Sequence, residues 1–314
     1  MKAIVYRRYG SPDVLKCEDV EKPAVADNDV LIRVRAASVN PLDWRLMRGE
    51  PWPLRAIVGI RKPKVERLGR DLAGVVEATG RSVRQFRVGD EVYGASAEGT
   101  LAEYVCAKEP KLAPKPANMT FEQAAAVPVA GITALQGLRD YGRIQAGHRV
   151  LINGASGGVG TFAIQIAKAF GAEVAAVCSA RNLEMVRSLG ADHAIDYDRE
   201  DFTEGSRRYD IVFDCMGNHS LRACRRVLNS RGVHVVCGGI GAGLKAFALS
   251  RLGNRRVVNF VAFIRMKELV DLNELMEVKK VTPVIDRCYA LEEAPEAIRY
   301  LENGHARGKV VVRV

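Results

Sequence analysis

Short apolar runs separated by turn-forming residues fill the first 118 residues of the chain. Runs such as "KAIVYRR", "DVLIRVRAASVN" and "LAGVVEATG" have the length and β-branched content of strands, and Gly, Pro and Asp lie between them. Strands spaced this closely are typical of a small barrel or an antiparallel sheet. The pattern therefore predicts a β-rich start to the chain.

From Met119 the pattern changes to apolar strands that alternate with amphipathic helices. The strand "RVLING" (149–154) precedes a helix predicted over 159–170, and "EVAAVC" and "DIVFDCMG" are likewise followed by predicted helices. Such alternation predicts parallel strands with helices on both faces of the sheet. Residues 119–264 are therefore predicted to form a doubly wound α/β domain.

The last fifty residues leave this alternation. A helix over 267–278, the strand "VIDRCYAL", a helix over 292–303 and the strand "GKVVVRV" are predicted there. We expect residues 265–314 to return to the first domain and complete it together with residues 1–118. The α/β domain is then an insertion.

The run "NGASGGVG" (153–160) lies between the strand and helix that open the α/β domain. In the dinucleotide-binding fingerprint G-x-G-x-x-G it places Ala155 first, Gly157 second and Gly160 third. Gly157 would let the backbone approach a pyrophosphate, and Gly160 would let the helix pack against the strand. A glycine-rich turn that binds nothing has the same composition, but the strand–turn–helix context favours a nucleotide site.

The end of the second strand indicates which nucleotide is bound. NAD sites usually carry an acidic residue there for the ribose 2′-hydroxyl, whereas this chain has Ser179 and Arg181 and no acid. A guanidinium and a hydroxyl suit a 2′-phosphate. The alternative is a solvated Arg at the start of a helix. The missing acid favours NADP(H).

Composition agrees with two folded domains: 314 residues, 48% of them apolar and 27% charged. The net charge of +10 is concentrated most strongly in residues 55–70, where a solvated basic loop is favoured over a polyanion-binding patch. The seven cysteines form no C-x-x-C pair and indicate small core residues. Without a long apolar run or a signal pattern, we expect a cytoplasmic protein.

Several motifs in order resemble the medium-chain dehydrogenase/reductase superfamily, specifically its zinc-free quinone oxidoreductase branch. They include "AASVNPLDWRLMRG" (36–49), "GRDLAGVVEATG" (69–80) and "GASGGVGTFAIQIAKAFGA" (154–172). The resemblance implies a Rossmann-type domain inserted in a GroES-like β-barrel domain. It implies hydride transfer from NADPH to a quinone or to the C=C bond of an enone or alkenal. A homodimer, paired through the edge strand in "RRVVNFVAF", is also implied.

The resemblance also assigns candidate cofactor contacts. The implied pyrophosphate contacts are Ser156, Gly157, Gly158, Val159 and Gly160, and the implied 2′-phosphate contacts are Ser179 and Arg181. Tyr197 is matched to an adenosine-side tyrosine, although a half-buried strand tyrosine is nearly as good an interpretation. The implied nicotinamide-side residues are Asn40, Thr133, Gly238, Gly239, Ile240 and Phe263.

The residue types that would hold a catalytic zinc are missing at the positions that the zinc branch uses. The chain has Asn40 and Arg70 where a thiolate and an imidazole would be implied, and Cys106 stands alone in its region. We therefore expect no metal and disfavour an alcohol dehydrogenase. Without zinc, the developing oxyanion or enolate needs another donor or a proton.

No catalytic acid is assigned from the sequence. Trp44 and Arg45 are pocket candidates beside Asn40, and Arg45 stands where some relatives carry a tyrosine. Arg45 is a poor proton donor because it stays charged, and an Arg on the pocket rim facing water is an equally good interpretation. Residues 50–68 are predicted to shape acceptor choice, as a lid for example. The remaining alternative is an NADPH-binding accessory, sensor or RNA-contacting protein with little turnover.

Overall fold

The computed structural model describes residues 1–237 and 256–314, which divide into two units. The first unit comprises Met1–Val129, Ile264–Glu277 and Pro283–Val314, and the second comprises the described residues of Ala130–Phe263 together with Val278–Thr282. The predicted boundaries at 118/119 and 264/265 differ from this division in three places: the boundaries lie at 129/130 and 263/264, and residues 278–282 belong to the second unit. A helix over residues 121–125 packs on strands of the first unit, and Thr282 exchanges two backbone hydrogen bonds with the Gln165 side chain in the second.

The strands of the described residues are numbered in chain order. They are β1 Lys2–Val5, β2 Lys16–Asp19, β3 Asp29–Val39, β4 Asp71–Thr79, β5 Glu91–Ala95, β6 Tyr104–Lys108, β7 Leu112–Pro114, β8 Arg149–Asn153, β9 Glu173–Cys178, β10 His193–Asp196, β11 Tyr209–Asp214, β12 Leu228–Cys237, β13 Arg256–Phe260, β14 Ile285–Ala290 and β15 Lys309–Arg313.

The α-helices of the same residues are numbered likewise. They are α1 Pro41–Arg48, α2 Arg55–Val58, α3 Phe121–Ala125, α4 Pro128–Gln136, α5 Gly158–Ala169, α6 Leu183–Ser188, α7 Leu221–Arg226, α8 Met266–Glu277 and α9 Ala294–Glu302. A π-helical turn, Gly137–Tyr141, continues α4. None of the helices in the described ranges has the length and apolar content needed to cross a bilayer.

The first unit is built on a seven-stranded sheet, mostly antiparallel, in the order β14-β15-β3-β4-β5-β7, with β6 also paired to β3. β1 and β2 form a separate antiparallel pair. The long strand β3 pairs with β15, β4 and β6, so its alternating apolar residues lie at the centre of the core. Its register sets Ser38 opposite Asp71 and Val39 opposite Val310, which brings three distant segments together at one end of the sheet.

The second unit contains a parallel six-stranded sheet in the order β10-β9-β8-β11-β12-β13. The order reverses beside β8, since β9 and β10 lie on one side of it and β11 to β13 on the other. Ligands of doubly wound sheets bind outside the carboxyl ends of the strands at such a reversal. The predicted α/β fold class, with the strand–helix alternation of residues 149–260, is confirmed.

Candidate functional site

The glycine-rich turn lies at the carboxyl end of β8, beside the reversal of strand order. Ala155 is buried, is not among the residues with positive φ, and donates its N–H to the carbonyl of Val177 at 3.0 Å. An alanine in the first fingerprint position is therefore accommodated without backbone strain. Gly157 is the N-cap of α5, so the free N–H groups in the first turn of this helix point toward the glycine-rich segment that precedes it.

Gly157 and Gly160 occupy different environments. A Cβ on Gly160 would lie 2.3 Å from the carbonyl oxygen of Gly154 and 2.7 Å from the Ala155 backbone, so the close packing of α5 requires glycine there. Among the described residues other than its chain neighbours, a Cβ on Gly157 would have one atom within 4 Å, the Gly154 carbonyl oxygen at 3.5 Å, and φ there is −81°. No contact within the described ranges 1–237 and 256–314 requires glycine at 157. The space beside it suits a ligand that approaches the backbone.

Gly154 was missed by the fingerprint, yet it makes the turn possible. Its φ of +82° is a conformation that side chains rarely adopt, and a Cβ would lie 2.9 Å from the Met216 side chain. The sequence signal was available, because Gly154 directly follows the apolar strand. Ser156, Gly158 and Val159 are half-buried around the same turn.

Ser179 and Arg181 follow the carboxyl end of the neighbouring strand β9. Ser179 is half-buried, and its hydroxyl oxygen accepts a hydrogen bond from the Asn182 side chain at 3.1 Å. Arg181 is exposed, so its guanidinium is accessible from the carboxyl edge of the sheet. Asn182 is buried and was not singled out from the sequence, because Asn is common at helix starts whether or not a ligand binds there.

Two exposed apolar side chains, Tyr197 and Met216, follow the next strands along the same edge. At the ends of β8 and β11, the buried Asn153 donates to the buried Asp214 at 2.9 Å and to the exposed Asn218 at 2.8 Å. Asp214 also accepts the N–H groups of Met216 and Gly217, which fixes the loop after β11. The carboxyl edge therefore combines a fixed backbone with accessible apolar surface.

Of the nicotinamide-side candidates in the second unit, the structure describes Thr133 and Phe263. Thr133 lies half-buried on α4. Phe263 has an exposed side chain, and its backbone N–H and carbonyl both bond to the buried Gln136 amide, at 3.1 and 2.8 Å. Gly238, Gly239 and Ile240 lie outside the described residues.

Asn40 belongs to a buried polar network in the first unit. Its amide nitrogen donates to Asp71 Oδ2 at 2.9 Å, and its Oδ1 accepts from the Lys309 ammonium at 2.6 Å. The same ammonium lies 3.3 Å from Asp71 Oδ2, which also accepts the Ser38 hydroxyl proton at 2.8 Å. Asp71 Oδ1 accepts the N–H of Val129 at 3.0 Å. The Asn40 side chain is thus held in one orientation.

Asp71 and Lys309 were not chosen from the sequence as site residues. Lys309 lies 269 positions from Asn40, and a lysine at the start of a terminal strand gives no sequence signal of burial. Both side chains are almost fully buried here. They are connected through the β15–β3–β4 pairing described above.

A second buried carboxyl, Asp43, lies in the first turn of α1. Its oxygens accept the N–H of Asn40 at 2.7 Å and the N–H of Gly69 at 3.2 Å. Burial raises the pKa of Asp43 to about 6, partly opposed by the hydrogen bond from Asn40. Asp43 thereby fixes the start of the helix that carries the pocket candidates.

Trp44 and Arg45 are both half-buried on α1. The Arg45 guanidinium carbon lies 5.2 Å from the centre of the Trp44 ring, within the range of a cation–π interaction. The two candidates therefore lie together on α1, whose N-cap is Asn40.

Comparison with known proteins decides the family. Residues 26–117 match the model of the alcohol dehydrogenase GroES-like domain, and residues 189–312 match a model described as zinc-binding dehydrogenase. The chain is 38% identical to the 2-methylene-furan-3-one reductase of Solanum lycopersicum, over 99% of this chain and 79% of the relative. It is equally identical, over the same shares, to the chloroplastic NADPH-dependent alkenal/one oxidoreductase of Arabidopsis thaliana. The structure of the quinone oxidoreductase from Coxiella burnetii superposes with a TM-score of 0.92 at 35% identity, covering 100% of this chain and 99% of that one.

The chain belongs to the medium-chain dehydrogenase/reductase superfamily, in its quinone and enone reductase branch. The resemblance to the quinone oxidoreductases of this superfamily, inferred from the motifs, is thereby confirmed. This medium-chain reductase carries the GroES-like and Rossmann-like folds that the resemblance implied.

The description of one family model raises the question of zinc. At the positions compared with the zinc branch, the Asp71 carboxylate faces the Lys309 ammonium at 3.3 Å, and Asn40 is bonded to both. An ammonium in this position repels a dication, so these residues do not fit a catalytic zinc.

Among the described residues, one other group of potential metal ligands clusters within 4.8 Å: Asp214, Cys224 and His234. Asp214 already accepts a hydrogen bond from His234 at 3.2 Å, in addition to those from Asn153 and the loop backbone. Burial raises the pKa of the Cys224 thiol to about 12, and the charge of Asp214 adds to the shift. The thiolate that a metal requires is therefore strongly disfavoured.

Proposed function

We propose that this medium-chain reductase is an NADPH-dependent enzyme that transfers a hydride to a quinone or to the C=C bond of an enone or alkenal. The observation that carries the proposal is the turn after β8, where Gly157 leaves space beside the backbone that the described part of the chain does not fill. The relatives named above support it, since one is an NADPH-dependent alkenal/one oxidoreductase and another a quinone oxidoreductase.

The proposed cofactor contacts follow the carboxyl edge of the parallel sheet. The pyrophosphate would be held by residues 156–160, where the N-terminus of α5 offers free N–H groups and a positive dipole. Ser179 and Arg181 would hold the 2′-phosphate, and Tyr197 would lie on the adenosine side. Thr133 and Phe263 would lie on the nicotinamide side, and Gln136 fixes the backbone of Phe263 for this contact.

In the first unit we propose that Asn40 acts beside the nicotinamide and that Lys309 and Asp71 position it. When bound, NADPH supplies the hydride, and the acceptor then carries an oxyanion or enolate. Arg45 places a permanent positive charge next to Trp44 and would stabilise that negative charge electrostatically. The guanidinium retains its proton, so solvent is the proposed proton source.

The test is NADPH oxidation by the purified protein against a panel of quinones, enones and alkenals, with NADH in parallel. Turnover with NADPH, faster than with NADH and unaffected by a chelator, is the expected result and supports zinc-independent chemistry. Tight NADPH binding without turnover on any acceptor would contradict a reductase and favour an accessory or sensor protein. Loss of activity on chelation, with zinc found by elemental analysis, would contradict the zinc-free mechanism.

We also propose a cytoplasmic location. This proposal keeps the expectation stated from the sequence. One relative is chloroplastic, so location varies within the branch. Fractionation of the source cells, with antibody detection in the cytosolic and organelle fractions, tests this proposal.

A further inference from the structure

Residues 51–65, between α1 and β4, form what we call the apolar loop. Trp52, Ile57 and Ile60 in this loop have 71%, 73% and 68% of their surface exposed. Val65 is exposed as well. Large apolar side chains exposed singly are ordinary on a protein surface, but three exposed within nine residues of one loop are typical of an interaction site, and we call them, together with the exposed cations of the loop, the patch.

The exposure arises from a loop whose base is fixed to the first unit. The Tyr9 hydroxyl donates to the Gly59 carbonyl at 2.5 Å, and the Lys64 N–H donates to the Val58 carbonyl at 2.8 Å. Arg55 donates to two carbonyl oxygens, of Arg48 and Gly49, and its guanidinium lies 4.5 Å from the centre of the Tyr9 ring. The loop is held in place while its apolar side chains project into water.

The same loop carries exposed cations. Arg61, Lys62 and Lys64 are exposed, and none of the three makes a salt bridge with the residues that the structure describes. The nearest acids in the sequence, Glu50 and Glu66, lie outside the loop, and Glu66 faces Arg7 at 3.7 Å. The patch is therefore apolar and positively charged at once.

We propose that the apolar loop docks this protein reversibly on the surface of an anionic lipid bilayer. Trp and aliphatic side chains gain free energy at the boundary between headgroups and acyl chains, and the cations attract anionic headgroups. A nucleic acid carries negative charge but has no apolar interior into which two isoleucine side chains could insert. The exposed aliphatic side chains therefore favour a lipid bilayer as the partner. The helix α2 within the loop has only four residues, so the contact is shallow and peripheral. This inference does not depend on the proposed function.

The chain contains only two tryptophans, which gives a direct probe. In the Trp44→Phe variant, Trp52 is the sole tryptophan. Its emission should shift to shorter wavelength when vesicles of phosphatidylcholine with 30% phosphatidylserine are added. Vesicles of pure phosphatidylcholine should give little shift, and high salt should weaken the response to anionic vesicles because it screens the lysines and arginine. Co-sedimentation of the otherwise unaltered protein with the same vesicles measures affinity.

Two sets of variants separate the apolar and charged contributions. Ile57→Ser/Ile60→Ser and, separately, Lys62→Gln/Lys64→Gln should each weaken co-sedimentation at least tenfold. Val88→Ser is the matched control, because Val88 is 67% exposed in the same unit outside the loop, and its binding should be unchanged. Thermal unfolding at the wild-type temperature shows that each variant is folded.

Four outcomes would overturn the proposal. They are no binding to anionic vesicles, equal binding to both vesicle types, an equal loss in the Val88→Ser control, and a Trp52 shift that depends on protein concentration without vesicles. The last would indicate a contact between copies of the chain. Binding of a single-stranded RNA oligonucleotide through the loop cations, without any vesicle binding, would assign the patch to nucleic acid instead.

Discussion

Gly157 and Gly160 lie three residues apart in one turn, and a methyl group added at Gly160 should lower stability, whereas one added at Gly157 should weaken cofactor binding. Gly160→Ala places a Cβ 2.3 Å from the Gly154 carbonyl oxygen, so we expect destabilisation of about 2 kcal/mol or more. The added Cβ of Gly157→Ala meets no atom of the described residues beyond its chain neighbours nearer than 3.5 Å, so stability should change by less than about 1 kcal/mol while NADPH binding weakens. Thermal unfolding and a cofactor titration of both variants measure this. Equal stability loss in both would contradict the assignment of Gly157 to the ligand.

Arg181 should distinguish the two nicotinamide cofactors. If its exposed guanidinium holds the 2′-phosphate, Arg181→Ala should weaken NADPH binding by about 2 kcal/mol and leave NADH nearly unchanged. Arg187→Ala is the matched control, because Arg187 is exposed on α6, close in sequence. Isothermal titration of both cofactors measures the difference. The same loss for NADPH and NADH would rule out the contact.

The residues that the sequence identified are those with local signals. Gly157, Gly160 and Ser179 stand at fixed distances from strand ends, and spacing alone points to them. Asp214 and Asn153 are also at strand ends, but their pairing requires β8 and β11 to be neighbours in the sheet. Spacing along the sequence does not show the order of strands in the sheet, so it could not identify Asn153 and Asp214 as hydrogen-bond partners.

The start of α1 is the element whose stability should depend most directly on pH. The pKa of Asp43 is about 6 in the folded chain and 3.8 for the free residue, so folding favours the protonated form. The contribution of protonated Asp43 to the free energy of unfolding is fully present below about pH 4 and is lost as the pH rises through about 6. The total is about 3 kcal/mol. Denaturant unfolding at pH 4 and pH 7 should show wild type losing stability relative to Asp43→Asn. A difference independent of pH would contradict the raised pKa.

The Lys309–Asp71–Asn40 network joins the ends of β3, β4 and β15. Removing one of its two charges should lower the stability of the protein more than removing both. Lys309→Met leaves the Asp71 carboxylate buried without its cation, and we expect a loss on the order of 3–5 kcal/mol. Lys309→Met/Asp71→Asn removes both charges and should recover part of that loss. Lys2→Met, which breaks the exposed pair with Glu292, is the control and should cost less than about 1 kcal/mol. Urea unfolding of the three variants and wild type measures this. A double variant less stable than Lys309→Met would show that the charges are not coupled.

At the scale of elements, the sequence predicted the helices and strands well and the domain boundaries less well. The helix predicted over 159–170 is Gly158–Ala169, and the one predicted over 267–278 is Met266–Glu277. Periodicity identifies such elements because each has one apolar face. It does not show which core receives a short helix such as α3, since Ala124 and Ala125 suit either.

At the scale of the whole molecule, we propose a homodimer in which strand β13 forms the contact between the two chains. β13 is the last strand in the described part of the parallel sheet and pairs with β12 in that part. Two copies of β13 related by a two-fold axis would join the sheets of two chains and satisfy the edge of each. Sedimentation velocity should therefore give about twice the chain mass of 34.3 kDa.

A charge on the strand should prevent that pairing. Val258→Lys places an ammonium in the middle of β13, which disfavours strand addition, and should give the monomer mass. Val278→Lys is the matched control, since Val278 is exposed in the same unit and lies outside the sheet, and it should remain dimeric. Cofactor binding to the monomeric variant tells whether the carboxyl edge of one sheet is complete by itself. Wild type that is monomeric at every concentration, or a dimer that Val258→Lys leaves intact, would exclude β13 as the dimer contact.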